Sequence, residues 1–171
     1  MTKNLKSGSH RFADQYGTAI CKFFYRMQMK QLRKELLETK GKDGSIVFAG
    51  HQENWEYSDH RQGGQPFSGT ITIWMDGVIC FTMHYRGRVQ PYVKDKERLD
   101  ECLREALEHM HWRTPWRGPE KYLASNGLLY GNELTTQSIR DFSGVERIVD
   151  LDDNDNLLYE LYYMGGIVNK D

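Results

Sequence analysis

The chain has little of what would announce a function. Cysteine is scarce: three residues, Cys21, Cys80 and Cys102, an odd number set far apart among apolar neighbours. That pattern argues against a disulfide framework and a zinc site, and fits reduced core thiols. No apolar run reaches the 18 or so residues a membrane span needs, and MTKNLKSGSHRF offers no apolar segment for secretion. The expectation is a cytoplasmic protein with no membrane partner. Nucleophile and nucleotide motifs are missing: there is no G-x-S-x-G, no Walker or Rossmann glycine pattern, and no H-E-x-x-H among the six histidines. Neither a cofactor nor a metal is therefore expected. The acidic turn DLDDNDN places Asp150, Asp152 and Asn154 at alternate positions but lacks the sixth-position glycine and twelfth-position acid of a calcium loop, so it reads as a solvated hairpin turn.

Net charge is also nearly absent, at -1. The balance conceals a gradient: residues 1–42 carry ten basic and three acidic residues, net +7, leaving -8 for the remainder. An overall balance of this kind argues against direct nucleic-acid binding. The basic stretch reads first as a solvated helix face, and second as a surface for an acidic protein partner through Lys30, Arg33 and Lys34.

What the chain has is 171 residues, 39% hydrophobic and 27% charged, enough for one core and short for two. Residues 1–13 read as a flexible tail and 14–171 as a single domain. A first helix is expected from about Asp14 to Thr39, ending at GKDG, with Ile20, Phe24 and Met27 on its apolar face. A second follows Asp95 as N-cap, because Leu99, Cys102, Leu103, Ala106, Leu107 and Met110 recur at i, i+3, i+4, i+7, i+8 and i+11. IVFAG, NWEYSD and GLLYGNELTTQ alternate as strands do.

FSGTITIWMDGVICFTMHYRG (67–87) is echoed by FSGVERIVDLDDNDNLLYELYYMG (142–165). Phe81, Met83 and Tyr85 align with Tyr159, Leu161 and Tyr163, and each copy follows a helix. The expected fold is α+β: a pseudo-twofold tandem repeat of helix plus antiparallel hairpin units, with halves at about 14–93 and 94–171. Its layout is similar to the tandem-repeat ligand-binding domains of drug-responsive regulators, whose cleft lies between halves. Each phenylalanine should enter the core and each glycine should let its strand turn.

Two segments gather the chemistry, MHYRGRV (83–89) and HWRTPWRGPEKY (111–122). Arginine offers planar, multidentate donors and aromatic rings offer flat walls, a pairing suited to an anionic ring compound such as a nucleotide. The candidate ligand site is Arg86, Arg88 and Arg117 as charge partners with Tyr85, Trp116 and Tyr163 as walls; His84 projects to the face opposite Met83 and Tyr85 and is a further candidate contact.

The combination D-x-x-x-G-G-x-x-F-x-G (Asp59, Gly63, Gly64, Phe67, Gly69), M-x-Y-x-G (Met83, Tyr85, Gly87), RGP-x-x-Y (Arg117 to Tyr122), F-x-G-x-E-x-I (Phe142 to Ile148) and Y-x-G-G (ending at Gly166) resembles a bacterial domain family of unknown function, over about residues 23–168. That family commonly stands behind an XRE-type helix-turn-helix. Thr70, Ile71 and His84 depart from its pattern, standing where it tends to carry Glu and Asn. The resemblance implies a sensory or effector domain, here freestanding because the preceding segment is too short for a DNA reader. Freestanding binders also occur among phage counter-defence proteins. The leading expectation is a non-catalytic binder of a small aromatic or anionic ligand. A protein-binding inhibitor or adaptor comes second and an enzyme third; a homo-oligomer stays open.

Overall fold

In the computed structural model, residues 7–153 and 156–168 are described. Nine strands form one antiparallel sheet and two helices lie on one of its faces. Helix α1 is Ser7–Leu32 and is followed by β1 (Leu37–Lys40), β2 (Ile46–Gln52), β3 (Trp55–Gln62), β4 (Phe67–Met75) and β5 (Val78–Val89). Helix α2 (Lys96–Glu108) leads to β6 (Lys121–Leu123), β7 (Leu128–Ser138), β8 (Asp141–Asp150) and β9 (Asn156–Ile167). The strand order is β1-β2-β3-β4-β5-β9-β8-β7-β6, so β5 and β9 meet at the centre. This is the expected α+β class.

Helix α2 forms where its periodicity places it. The Asp95 side chain accepts a hydrogen bond from the Arg98 amide at 2.9 Å, and Leu99, Cys102, Ala106 and Leu107 are buried. An N-cap of this kind contributes about 1 kcal/mol.

Helix α1 departs from expectation at both ends. It begins at Ser7, inside the segment read as a tail, of which residues 1–6 lie outside the described residues. It stops at Leu32 instead of Thr39. Lys34 takes a left-handed conformation (φ 59°), and the amides of Lys34 and Glu35 close back onto the carbonyls of Gln31 and Lys30 at 3.0 and 2.9 Å. This is a Schellman termination with lysine in the place glycine usually holds. Residues 37–40 then become an edge strand on β2, and the turn expected to end the helix closes the β1–β2 hairpin.

The repeated FSG segments are β4 and β8, and their glycines do not turn the chain. Phe67 sits across from Gly87 and Phe142 across from Gly165; a Cβ on those glycines would lie 2.6 Å and 2.8 Å from the facing rings. Gly69 and Gly144 likewise sit across from Tyr85 and Tyr163, and a Cβ there would run into the tyrosine ring and hydroxyl. Each glycine leaves the volume that a neighbouring aromatic ring crosses, so both motifs are packing devices within the strands. On β5 and β9, Tyr85 is paired with Tyr163, Met83 with Gly165 and Gly87 with Leu161.

The core lies between the helices and this face of the sheet. Ile20, Phe23, Phe24 and Met27 of α1 are completely buried against a sheet face that includes Ile73, Phe81, Phe142 and Ile148, also completely buried. Each such side chain contributes roughly 1.5–3 kcal/mol of transfer free energy. Among the described residues the opposite face of the sheet carries no helix, and it is polar along β4 and β5, with Thr70, Thr72, His84, Arg86 and Arg88. Among the described residues no helix is long and apolar enough to cross a membrane.

Candidate functional site

Helices α1 and α2 leave a cleft between them over the central strands, with a cavity of about 310 Å³. Gln28, Gln31 and Leu32 of α1 form one side, Leu99, Leu103 and Leu107 of α2 the other. The floor comes from Asp59 and Arg61 on β3, Phe67 and Ile71 on β4, Tyr85 on β5, and Tyr159 and Leu161 on β9. Arg117, from the segment between α2 and β6, closes one wall.

Alternation brings Asp59 to this position: Tyr57, Asp59 and Arg61 share the inward face of β3, so a carboxyl is placed on a face otherwise committed to the core. Asp59 is only 5% exposed. It is not left bare. Tyr85 donates to Asp59 Oδ1 at 2.7 Å and Gln31 donates to Oδ2 at 2.8 Å, while the Tyr57 hydroxyl donates to Gln31 Oε1 at 2.7 Å and accepts from Gln28 at 2.6 Å. One polar chain thus ties α1 to β3 and β5. Burial pushes the Asp59 carboxyl above its usual range, against the opposing pull of the Gln31 and Tyr85 hydrogen bonds and of Arg117. Burial and the neighbouring Asp59 charge also push the Tyr85 hydroxyl up, so it remains a donor.

The second polar group is Arg117 with Glu146. Nε donates to Glu146 Oε2 at 2.7 Å and Nη2 to Oε1 at 2.5 Å, a two-point pairing onto a fully buried carboxylate. Burial works against the charge on Arg117, yet Glu146 outweighs it and holds the guanidinium well above its ordinary value. The residue after the arginine fixes its position. The Gly118 amide donates to the Tyr130 hydroxyl at 3.0 Å, Asn132 donates to the Gly118 carbonyl at 2.9 Å, and Tyr130 in turn donates to Glu146 at 2.6 Å. A Cβ at Gly118 would stand 2.8 Å from that hydroxyl. Arg117 Nη1 has no hydrogen-bond partner among the described residues, although the side chain lines the cleft and is 13% exposed. Arg61 lies 4.1 Å over the Phe67 ring and forms no ion pair among the described residues.

The seven ligand-site residues singled out in the sequence are therefore not one cluster. Tyr85 and Arg117 line the cleft together. Trp116 and Tyr163 lie on the same face of the sheet but are 1% and 3% exposed, so they support the site from within the core and are not its walls. Trp116 stacks on Phe142 at 4.4 Å between ring centres, with its Nε1 unpartnered among the described residues; Tyr163 donates to Asn132 at 2.6 Å. His84, Arg86 and Arg88 occupy the opposite face, because strand alternation turns them away from Tyr85 and Gly87. Arg86 and Arg88 cannot share a ligand group with Arg117 across the sheet. His84 bonds its cross-strand neighbour Thr70 at 3.0 Å.

Lys30, Arg33 and Lys34 are exposed at the C-terminal end of α1, where positive charge complements the helix dipole. Asp150 of the acidic turn is held by Arg98 at 2.6 Å; Asn154 lies outside the described residues. Among the described residues no group of three or more His, Cys, Asp or Glu side chains is placed to hold a metal ion. The thiols do not offer a ready nucleophile: burial pushes Cys21 up to about 11 and Cys102 up to about 12.

Sequence reading missed Gln28, Gln31, Asp59, Arg61 and Glu146 as site residues. Glu146 had a visible signal, since it falls in register with Phe142, Gly144 and Ile148 on the inward face of β8.

Fold and site define an α+β domain with two helices on one face of an antiparallel sheet and a cleft with polar groups between them. The chain belongs to the family described as Domain of unknown function (DUF5680), whose model matches residues 59–168, more than half of its length. That match opens at Asp59 and takes in Tyr85, Arg117 and Glu146. No curated protein and no solved structure matches the chain.

Proposed function

We propose that this protein is a non-catalytic small-molecule-binding domain, acting as a sensor or by sequestering its ligand, and that the ligand occupies the cleft between α1 and α2. The observation that carries the reading is Arg117: Glu146 fixes two of its nitrogens, Nη1 has no partner among the described residues, and the side chain lines the cleft. A buried ion pair costs desolvation free energy that an apolar pair would not, which makes a polar floor of this kind a candidate for binding. The ligand class is a small aromatic compound with a carboxylate or carbonyl acceptor for Arg117, its ring against Phe67, Tyr85 and Tyr159. Asp59 and Gln31 supply further polar partners.

The two halves, about 14–93 and 94–171, are read as a duplicated unit, α1 with β1–β5 and α2 with β6–β9. Support comes from the matched pairs Phe67 with Gly87 and Phe142 with Gly165, and from Tyr85 facing Tyr163 where the halves meet. The cleft then lies at the seam between halves. The resemblance to domains that stand behind helix-turn-helix regulators favours a sensory role in the cytoplasm of a bacterium; sequestration, as in phage counter-defence, is the same binding put to another use.

The test is a thermal-shift screen of aromatic carboxylic acids and other unphosphorylated ring compounds. A binder at a hundredfold its Kd stabilises the fold by about 2.7 kcal/mol. The gain is expected to vanish in Leu103→Trp, which fills the cleft from α2. No stabilisation across the panel, or equal stabilisation of Leu103→Trp, contradicts the proposal.

A further inference from the structure

The basic side chains excluded from the cleft converge elsewhere. Where β5 leaves the sheet, a concavity of about 640 Å³ is lined by Arg86, Arg88, Lys96, Tyr162, Pro66 and Pro91. Arg86 and Arg88 stand two apart on β5 and so point to the same side. Lys96 opens helix α2. All three are exposed.

Their charges are poorly compensated. Arg86 and Lys96 form no ion pair among the described residues. Arg88 approaches only Glu160, at 4.0 Å, and that carboxylate is already held by Arg147 at 3.0 Å. Three cations thus face one concavity whose single acid is committed to a different arginine. Beside them Tyr162, the cross-strand partner of Arg86, is 52% exposed and gives a flat wall. The rim is fixed: Gln65 accepts a hydrogen bond from the Val89 amide at 2.7 Å, which ties the loop before β4 to the end of β5.

We infer that this concavity is a second binding site, distinct from the cleft, for a mononucleotide or a similar phosphorylated ring compound. The phosphate is taken by Arg86, Arg88 and Lys96, and the ring lies on Tyr162. Arginine pairs match phosphate oxygens two at a time, and a guanidinium beside an exposed aromatic ring is a common setting for a planar base. The volume is that of a small-ligand site. A long polyanion fits less well, because residues 43–171 carry a net charge of -8, giving no extended basic track.

The test is calorimetric titration of the full chain with adenosine 5′-monophosphate, adenosine and inorganic phosphate, at low and at physiological salt. The monophosphate should bind tightest, with adenosine and phosphate each weaker by tenfold or more. Arg86→Ala and Arg88→Ala should each weaken it about tenfold or more, as expected for a lost charged hydrogen bond. Tyr162→Ala should weaken the monophosphate and leave inorganic phosphate unchanged. All three are exposed positions, so the variants should keep the wild-type Tm. Leu103→Trp, which blocks the cleft, should leave this binding intact; that arm separates this site from the one proposed above.

The inference is overturned by any of four results: no monophosphate binding at millimolar concentration, equal affinity for inorganic phosphate, insensitivity to Arg86→Ala and Arg88→Ala, or tighter binding of a single-stranded oligonucleotide that the same variants abolish.

Discussion

Replacing Arg117 with leucine removes two charge-assisted hydrogen bonds, of 2.7 and 2.5 Å, from a carboxylate with no solvent exposure. Glu146 keeps the hydrogen bond from the Tyr130 hydroxyl. Breaking a buried pair in this way costs about 3–5 kcal/mol, since the remaining charge is left in the core. For a chain of this length that lowers Tm by roughly 6–20 °C. Glu146→Leu alone should cost a similar amount, by stranding the guanidinium. The double variant Arg117→Leu with Glu146→Leu strands neither charge; its main loss is the acceptor of the Tyr130 hydroxyl, about 1 kcal/mol, because Tyr130 still accepts from Gly118. Urea unfolding, with m held constant across the set, should place the double variant within about 2 kcal/mol of the wild type. Additive losses would refute the argument that uncompensated charge is what destabilises the single variants. The double variant also separates roles, because stability recovers while the Arg117 anchor is gone. It should fold and fail to bind a cleft ligand.

Asp59 gives a pH signature. Burial raises its carboxyl in the folded state, so its contribution is fully present below the unfolded value of about 4 and is lost as pH rises through the folded value. Stability of the wild type minus that of Asp59→Asn should therefore fall as pH climbs from 4 towards neutrality; a flat difference would contradict the assigned direction. Tyr85→Phe deletes the 2.7 Å donor to Asp59 and should cost about 1–3 kcal/mol in urea unfolding, with no change expected if the bond is absent in solution. Gly69→Ala and Gly144→Ala should each cost about 1–3 kcal/mol by forcing a methyl group into the Tyr85 or Tyr163 ring, and a neutral effect would show that the rings can move aside.

Local chemistry made much of this fold legible. The period of Leu99, Cys102, Ala106 and Leu107 and the Asp95 cap identify α2 because both signals are contained in the helix itself. The end of α1 was hidden because its left-handed cap is Lys34, a residue that carries no turn signal, and because LETK becomes a strand only by pairing with β2. The site shows the same division. Arg117 and Tyr85 stood out as residue types, and both reach the cleft. Arg86 and Arg88 stood out equally, but one step of strand alternation from Tyr85 and Gly87 sends them to the other side of the sheet. Asp59 was missed because its importance lies in what buries it: Gln31 is 28 residues away in sequence and Tyr85 is 26. Polar residues in phase with an apolar strand face, as Asp59 is with Tyr57 and Glu146 is with Phe142 and Ile148, were the available signal.

The cleft is tested most directly by native mass spectrometry of the protein taken gently from its own cells, wild type beside Leu103→Trp. Occupancy of the cleft predicts a mass adduct of a small aromatic compound on the wild type that is lost when tryptophan fills the space. A wild type that carries no adduct and takes up none from the aromatic panel, or an unphosphorylated aromatic adduct equally abundant on both proteins, would contradict it.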